Sequence, residues 1–410
     1  MSVVPGMCHI LKFAVTFLSL AAGSLRDGSG DPILVHSSKG LGVDGFVRTC
    51  SWIPDLDEDG FPDLVVCGAF DAWDLDERSG ALAVVSGAEG YLLWRVFESP
   101  YGQFVDSQTL VVADWTGDGT SDILVHHRGF EPLSWELVLH DGRNGLALES
   151  LPGSGRQGFA REIGDWNGDQ VSDVGYWSGP SLAPFTRVLS GADGLHMCDV
   201  GWHVVSETGD LDAGGDPDFI VEERGGAWAV VSRESGMILM RFAPRSAWGP
   251  NTCRDLAVDV DGDGFKDRVV TTVISPDVLG GQGRSQQHAN EFVAILDDGM
   301  TGQVKLRIHE PMAQDGQLWT VTTLAGWGDG VGADLVFGGF SDESGFVRGM
   351  DVSNEQFLFE VSSKSQYFGH EVAGWNFGDG RPAMMAVASE GGGQDFKLDG
   401  GVVVYVQQVR

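Results

Sequence analysis

The sequence predicts an all-β protein, a seven-bladed β-propeller of four-stranded antiparallel blades. Three observations lead to this prediction. An aspartate-rich loop recurs seven times along the chain. Apolar strands and glycine-containing turns follow the copies in a constant order. The two chain ends contain the pieces of one incomplete blade. Outside the N-terminus, no long stretch has the 3.6-residue apolar period of a helix.

The recurring loop has nine positions, or ten in its seventh copy at residues 374–383, and its first copy runs from Asp55 to Asp63 before the apolar run 64–66. We number the copies loop one to loop seven. Their last positions are residues 63, 122, 173, 218, 267, 334 and 383. The intervals of 45 to 67 residues suit one four-stranded blade each.

The first blade shows the order of strands that we expect in the others. A strand over residues 46–53 enters the loop, and an apolar second strand leaves it. A third strand over 81–85 and a fourth over 91–94 flank the turn 87–90. Similar turns are predicted at residues 141–145, 191–194, 234–236 and 298–302. The longest interval, before residue 334, leaves room for an extra hairpin around residues 280–285.

The chain ends predict how the ring closes. After loop seven, residues 384–388 and 402–406 supply a second and a third strand, but no fourth strand follows. Residues 32–36 form an apolar segment that precedes the first blade without a partner. We expect this segment to be the fourth strand of the last blade, because pairing the two ends removes an exposed sheet edge.

The loop chemistry predicts calcium, because hard oxygen ligands at alternating positions of a tight loop suit this ion. Positions 1, 3, 5 and 9 supply side chains, and position 7 supplies a backbone carbonyl. An EF-hand would need Glu at position 12, where loop one has Val66 in the following strand. Gly60 and Gly264 at position 6 predict a sharp turn with positive φ.

The loops differ in their sets of candidate ligands. Loops one and five are complete, loop two has Thr116, and loop three has Asn167 with Gln170 in place of glycine. Loop four has Gly214 at position 5, where Asp216 is a substitute ligand. Loops six and seven have lost most carboxylates. The candidate metal ligands are Asp55, Asp57, Asp59, Asp63, Asp114, Thr116, Asp118, Asp122, Asp165, Asn167, Asp169, Asp173, Asp210, Asp212, Asp218, Asp259, Asp261, Asp263 and Asp267.

We expect three to five bound Ca²⁺ ions. The alternative is that some acidic loops are hydrogen-bonded turns without metal. Position 2 is apolar in every loop, so we expect packing between blades, although stacking on sugars is the alternative for the tryptophans. These residues are Leu56, Trp115, Trp166, Leu211, Val260, Trp327 and Trp375.

The Asp-x-Asp-x-Asp-Gly-x-x-Asp loops resemble those of the FG-GAP/VCBS repeat family, in its bacterial secreted form, whose relatives include the integrin α-subunit head. A Phe-Gly element precedes loop seven at Phe368-Gly369 and is varied at Tyr101-Gly102 and Trp248-Gly249. The element after the loop is echoed at Gly68-Ala69-Phe70 and Gly338-Gly339-Phe340. The resemblance covers about residues 31–410. It implies a propeller fold but no particular activity, because this fold hosts unrelated functions.

Composition bounds the partners and the compartment. The chain has 26 Lys plus Arg and 59 Asp plus Glu, a net charge of −33. This charge argues against binding nucleic acid or anionic membranes. The apolar segment 13–22 after Lys12 predicts a signal peptide over residues 1–24, and one propeller domain follows over residues 25–410. We expect a secreted or cell-surface monomer with no transmembrane segment beyond the signal.

Cys50 and Cys67 flank loop one on strands predicted to pair, and counting from a pair of residues 53 and 64 places them opposite one another. They are therefore a disulfide or two buried thiols.

No motif of a catalytic site occurs in the sequence, which lacks Gly-x-Ser-x-Gly, Gly-Lys-Ser/Thr and His-Glu-x-x-His. The first functional hypothesis is an extracellular calcium-stabilised binding or adhesion module for a protein or glycan. Its ligand is expected at loops that vary between blades, first at the insertion 276–290. The alternative is a secreted polysaccharide lyase or hydrolase, which needs His, Arg, Tyr or Lys converging on one mouth of the ring.

Overall fold

The structure is a computed structural model. It describes residues 32–37, 45–71, 78–97, 108–128, 135–151, 160–178, 185–223, 227–242, 252–274, 291–311, 317–325, 333–340, 345–352, 356–363, 368–376, 383–389 and 401–407. In this part of the chain every regular element is a strand. No helix here has the length and apolar character needed to cross a membrane.

Seven four-stranded antiparallel sheets form a seven-bladed β-propeller, which confirms the predicted fold. Blade one contains β2 Gly45–Ile53, β3 Asp63–Asp71, β4 Arg78–Val85 and β5 Leu92–Phe97. Blade two contains β6 Gln108–Val112, β7 Asp122–Arg128, β8 Trp135–His140 and β9 Ala147–Leu151. Blade three contains β10 Ala160–Gly164, β11 Asp173–Ser178, β12 Phe185–Leu189 and β13 His196–Val200. Blades four and five contain β14 His203–Glu207, β15 Phe219–Glu222, β16 Trp228–Val231 and β17 Ile238–Arg241; β18 Thr252–Val258, β19 Asp267–Ile274, β20 Glu291–Asp297 and β21 Val304–Pro311. Blades six and seven contain β22 Gln317–Ala325, β23 Ala333–Phe340, β24 Gly345–Asp351 and β25 Gln356–Ser363; β26 Phe368–Trp375, β27 Met384–Ser389, β28 Gly401–Gln407 and β1 Pro32–Ser37.

Blade seven is built from both chain ends, as predicted. Strand β1 pairs antiparallel with β28, with Ile33 opposite Val406 and Leu34 opposite Tyr405. Hydrogen bonds between the first and the last strand of the chain therefore close the ring, and neither of these two strands is left without a paired neighbour.

The core lies between blades, because both faces of each sheet are covered by neighbours. Side chains alternate along a strand, so Leu64 and Val66 pack against Met384 of blade seven while Val65 packs against Ile123 of blade two. This double burial explains why the second strands are continuous apolar runs. The described residues contain seven such clusters, one at each interface between neighbouring blades.

The apolar position 2 packs between blades, as predicted. The ring of Trp166 stacks on Phe219 of the next blade, with centroids 4.0 Å apart. The indole N–H of Trp115 donates to the carbonyl of Gly191 in blade three at 2.7 Å. The other described members pack in the interface clusters, and they are Leu56, Leu211, Val260 and Trp375. Trp327 lies outside the described residues.

The predicted pairing of Cys50 with Cys67 is wrong by one residue. Ile53 pairs with Asp63 rather than with residue 64, so Cys50 lies opposite Val66 and Cys67 lies opposite Thr49. Neighbouring positions on a strand point to opposite faces. Cys50 therefore packs toward blade seven and Cys67 toward blade two, where both are buried thiols that no disulfide joins.

The predicted signal peptide over residues 1–24 lies outside the described residues, and so do two expectations for blade five. They are the extra hairpin around residues 280–285 and the variable insertion 276–290. The strands on either side, β19 and β20, pair directly in blade five. The long interval therefore belongs to one four-stranded blade.

Candidate metal sites on one face of the ring

The acidic loops and the turns between third and fourth strands lie at the same end of the ring. In an antiparallel sheet the first and third hairpins of a blade are on one side, and the second hairpin is on the other. A hydrogen bond confirms this in blade one, where the backbone N–H of Gly87 in the turn donates to the Asp63 carboxylate of loop one at 3.0 Å. We call this end the loop face.

The position 1 aspartate organises each of loops one to five through its own backbone. In loop one the Asp55 carboxylate accepts the N–H of Asp59 at 3.1 Å and the N–H of Gly60 at 2.7 Å. The same two bonds, from positions 5 and 6, recur in loops two to five. The backbone of each of these loops thereby wraps around its first carboxylate.

This wrapping requires positive φ at two positions. Gly60 and Gly264 at position 6 have φ of 91° and 90°, as predicted. Position 4 has positive φ as well, which the sequence did not reveal because Glu58 occupies it in loop one with φ of 64°. Gln170 at position 6 of loop three has φ of 71°, a conformation that costs a side-chain-bearing residue energy.

The position 9 aspartate connects the loop to the turn between the third and fourth strands. The buried Asp63 carboxylate accepts the N–H of Leu56 at 2.7 Å and the N–H of Gly87 at 3.0 Å. Equivalent pairs of bonds are made by Asp122, Asp173, Asp218 and Asp267. An oxygen that accepts one N–H keeps a second lone pair for a cation, whereas Asp122 Oδ2 accepts two, from Trp115 and Thr116, both at 2.9 Å.

The turn itself is a functional element that sequence reasoning missed. A Cβ on Gly87 would lie 1.7 Å from the carbonyl oxygen of Pro62, so only glycine allows the turn to approach the loop. The same clash would occur at Gly142, Gly191 and Gly299. The repeated Gly-x-x-Gly spacing of the turns was the available signal, but it was interpreted only as a hairpin.

The loops bring carboxylates close enough to share a cation in three places. Among the described residues, one carboxylate oxygen from each member lies within 4.8 Å of the others in three groups. These groups are Asp55, Asp57 and Asp63; Asp210, Asp212 and Asp218; and Asp259, Asp261 and Asp263. An all-oxygen donor set of this kind fits Ca²⁺ better than a soft transition metal. Loop four thus joins the two complete loops, although its position 5 is glycine.

Loops two and three have a different geometry. In loop two the hydroxyl of Thr116 donates to Asp114 at 3.2 Å. In loop three the side-chain amide of Asn167 donates to Asp169 at 2.9 Å. The predicted ligands of these loops therefore bond to one another, as expected of hydrogen-bonded turns.

Burial raises the pKa of four position 9 carboxyls, those of Asp63, Asp122, Asp218 and Asp267. The pKa values of Asp63 and Asp267 rise from 3.8 to about 6, because burial disfavours the ionised form more than the backbone N–H groups favour it. A cation held by the loop would favour the ionised form. These sites are therefore electrostatically incomplete without a positive partner.

Loops one and five have different neighbours at position 3. The hydroxyl of Tyr91 donates to Asp57 Oδ2 at 2.6 Å, and this bond raises the pKa of Tyr91 to about 12. In loop five the Lys305 ammonium donates to Asp261 Oδ2 and lies 3.7 Å from Asp298. One loop has a neutral donor at this oxygen and the other has a cation.

A second polar group lies away from the loop face. Trp177 stacks on His203 with ring centroids 4.3 Å apart, and the Arg161 guanidinium lies 4.9 Å from the centroid of Trp177. The indole N–H of Trp177 donates to the carbonyl of Val204 at 3.1 Å. Burial and the charge of Arg161 lower the pKa of His203, so this imidazole favours its neutral form.

In comparisons with known proteins, no family model and no curated protein sequence matches this chain.

Proposed function

We propose that this chain is an extracellular β-propeller of the FG-GAP/VCBS type that calcium stabilises and that binds a protein or glycan ligand. The observation that carries the proposal is the convergence of carboxylate oxygens within 4.8 Å in three loops at the same end of one ring. An acidic cluster alone is common, but here the backbone of each loop wraps its first carboxylate in the same way.

The chain's own residues define what each site does. Positions 1, 3 and 5 or 9 present the oxygens, while position 9 also holds the loop against the next turn through two backbone N–H groups. A bound Ca²⁺ would supply positive charge that offsets the repulsion between these carboxylates. Because Asp63 joins the loop to the turn, tightening of the loop would be transmitted to the outer strands of the same blade.

The rigidity of a closed ring supports a binding role. Closure by β1 and β28 holds the blades in fixed positions, so loops at either end form a preorganised platform. The charge of −33 directs the choice of partner toward neutral or cationic molecules.

Two measurements test the proposal. Calorimetric titration of the chelator-treated chain with CaCl₂ should show at least three sites that Mg²⁺ fills poorly. Screening of a glycan array and a protein array, each with and without calcium, should identify ligands bound only by the calcium-loaded chain. A chain that binds no calcium, or that binds nothing on either array, contradicts the corresponding half of the proposal.

The enzyme alternative has one observation in its favour, the group of Arg161, Trp177 and His203. An aromatic ring beside a neutral imidazole and a guanidinium suits contact with an acidic sugar. We would test it by incubating the chain with uronic-acid polysaccharides and measuring chain shortening. Activity that His203→Ala abolishes, with unchanged melting temperature, would favour the enzyme over the binding module.

A further inference from the structure

One repeat position on the loop face has exposed side chains with a large apolar surface, and of these only Tyr91 contacts the metal loop, through the hydroxyl that donates to Asp57. It follows the last glycine of the turn between the third and fourth strands. In blades one to four it is occupied by Tyr91, Leu146, Leu195 and Met237. The turn uses the backbone of this position: in blade three the carbonyl of Leu195 accepts the N–H of Ser190 at 2.8 Å, and the N–H of Leu195 donates to Asp193 at 3.1 Å.

Blade five shows that the turn does not require an apolar side chain here. Gln303 occupies the same position and is exposed. Its carbonyl accepts the N–H of Asp298 at 2.8 Å, the same bond as in blade three. A polar residue therefore satisfies the fold, and the apolar side chains of Leu146, Leu195 and Met237 in blades two to four have another cause.

The exposure of these side chains is large. The exposed fractions are 61% for Leu146, 66% for Leu195, 64% for Met237 and 45% for Tyr91. Single exposed apolar residues are normal on soluble proteins. Four at one repeat position of four successive blades form an ordered series rather than a random scatter. We call these four residues the apolar row.

The row follows an arc at one end of the ring, because each of its residues belongs to the next blade. Neighbouring blades present equivalent positions at least about 10 Å apart, the face-to-face spacing of packed sheets. Phe61 and Met300, which are also exposed, lie at the same end of the ring. The surface thus offers separate apolar anchors rather than one continuous patch.

Exposed carboxylates lie between these anchors. Glu89, Asp193 and Glu234 are exposed on the same turns, where the basic residues are the exposed Arg143 and the half-buried Arg233, which lies over the Trp166 ring. Asp118 and Asp169 are exposed in the adjacent loops. Like charges would repel an anionic bilayer, and they would repel the same face of a second copy of the chain. A cationic partner with apolar side chains fits both features of the surface.

We propose that the apolar row is the docking surface for a protein segment that carries lysine or arginine together with apolar side chains. The proposal rests on the binding function proposed above and specifies its surface and its ligand class. Leu146, Leu195 and Met237 bury against the apolar side chains of the segment, and the carboxylates of the turns pair with its basic groups. The anchors are bound by shape and burial, while the charges set orientation and association rate.

The test uses the full chain in calcium and a fluorescent synthetic amphipathic helix made only of leucine and lysine. The double variant Leu195→Ser/Met237→Ser should raise the Kd for this probe by about tenfold or more, since two buried side chains are lost. The variant Gln303→Leu should lower the Kd by about threefold, because it extends the row into blade five. Gln303→Ser is the matched control and should leave the Kd unchanged.

Melting temperature shows whether the double variant is folded, and Gln303→Leu keeps the test valid if it is not. An unchanged Kd in both variants overturns the docking site, and the binding function stands if the wild-type chain still binds the probe. Equal binding of a leucine–glutamate helix overturns the proposed ligand class. Row-dependent binding to phosphatidylcholine vesicles, or a dimer that the double variant dissolves, assigns the row to a membrane or a second copy instead.

Discussion

Loops one and five have the same four aspartates and the same backbone hydrogen bonds, yet their surroundings differ in charge. Asp57 of loop one faces the neutral Tyr91 hydroxyl. Asp261 of loop five faces the Lys305 ammonium, with Asp298 close by. Both contacts come from the start of the fourth strand of the same blade.

The difference shows that the charge around a metal loop depends on residues that follow the turn of the same blade, as Tyr91 and Lys305 do. Without metal, loop one has uncompensated repulsion among Asp55, Asp57 and Asp63, whereas loop five contains a cation of its own. We therefore expect loop one to depend on calcium more strongly than loop five, although their sequences are equally complete.

Removal of calcium should have the largest effect. If about 1 mM calcium meets sites with a Kd of about 0.1 mM, each site adds about 1.4 kcal/mol to the free energy of unfolding. Three sites add about 4 kcal/mol, a large part of the usual ~5–15 kcal/mol. Thermal melting with and without chelator measures the loss. Asp55→Ala should abolish more of this calcium response than Asp259→Ala, with Asp193→Ala as a control that changes neither.

Equal responses of Asp55→Ala and Asp259→Ala would break the comparison between the loops. A melting temperature indifferent to chelator would show instead that the carboxylates only form turns.

The pH dependence of the calcium-free chain should be the next largest effect and should be common to both loops. Burial raises the pKa of Asp63 and Asp267 to about 6. Between about pH 4 and pH 6 the folded state therefore binds more protons than the unfolded state. This contribution to stability is present below about pH 4 and is lost as the pH rises through about 6, by about 1–3 kcal/mol per group.

Urea unfolding in chelator at pH 5 and pH 7 measures this effect. Asp63→Asn should reduce the gain in stability at pH 5, because it removes the titrating group while keeping most of the shape. If wild type and Asp63→Asn respond to pH identically, the buried carboxyl does not titrate as inferred.

Lys305→Met should sharpen the comparison at the level of affinity. Removing the ammonium takes one like charge away from the incoming cation, so loop five should bind calcium about three- to tenfold more tightly. Tyr91→Phe removes a neutral hydroxyl from loop one and should change the Kd less than about threefold. Calorimetric titration of both variants gives the two ratios, and a larger effect from Tyr91→Phe would contradict the role assigned to charge.

The smallest effect should come from loop three. Gln170 occupies position 6 with φ of 71°, where loops one and five have glycine. Gln170→Gly should stabilise the folded chain by about 0.5 kcal/mol, the relief of backbone strain less the entropy that glycine adds to the unfolded state. Gln170→Ala keeps the strain and is the matched control. Chemical unfolding of the wild type, Gln170→Gly and Gln170→Ala measures the free energy of unfolding of each. Equal values for the glycine and alanine variants would disprove this account.

The sequence predicted most of the fold because a repeat shows the same unit several times. The apolar position 2 and the positive φ of Gly60 and Gly264 were predictable, since each follows from local chemistry that recurs. The register of Cys50 and Cys67 was mispredicted by one residue. Register depends on which residues close the loop, and Ile53 and Asp63 do so through pairing that no local signal specifies.

The candidate site divides in the same way. The carboxylates of Asp55, Asp57 and Asp63 could be assigned from spacing, because alternating positions of a tight loop converge. The second role of Asp63 could not, since its partner Gly87 comes from a turn two strands away.

By itself, the sequence determined the number of blades, the loops that carry carboxylates and the closure of the ring by its two ends, because these are properties of segments and their repetition. Only the tertiary structure decided which of those loops gather their oxygens, which receives a lysine in place of a hydroxyl, and which apolar side chains remain in solvent. Those outcomes depend on how separate strands and turns meet across a blade, and the interactions that bring them together act between residues far apart in the chain.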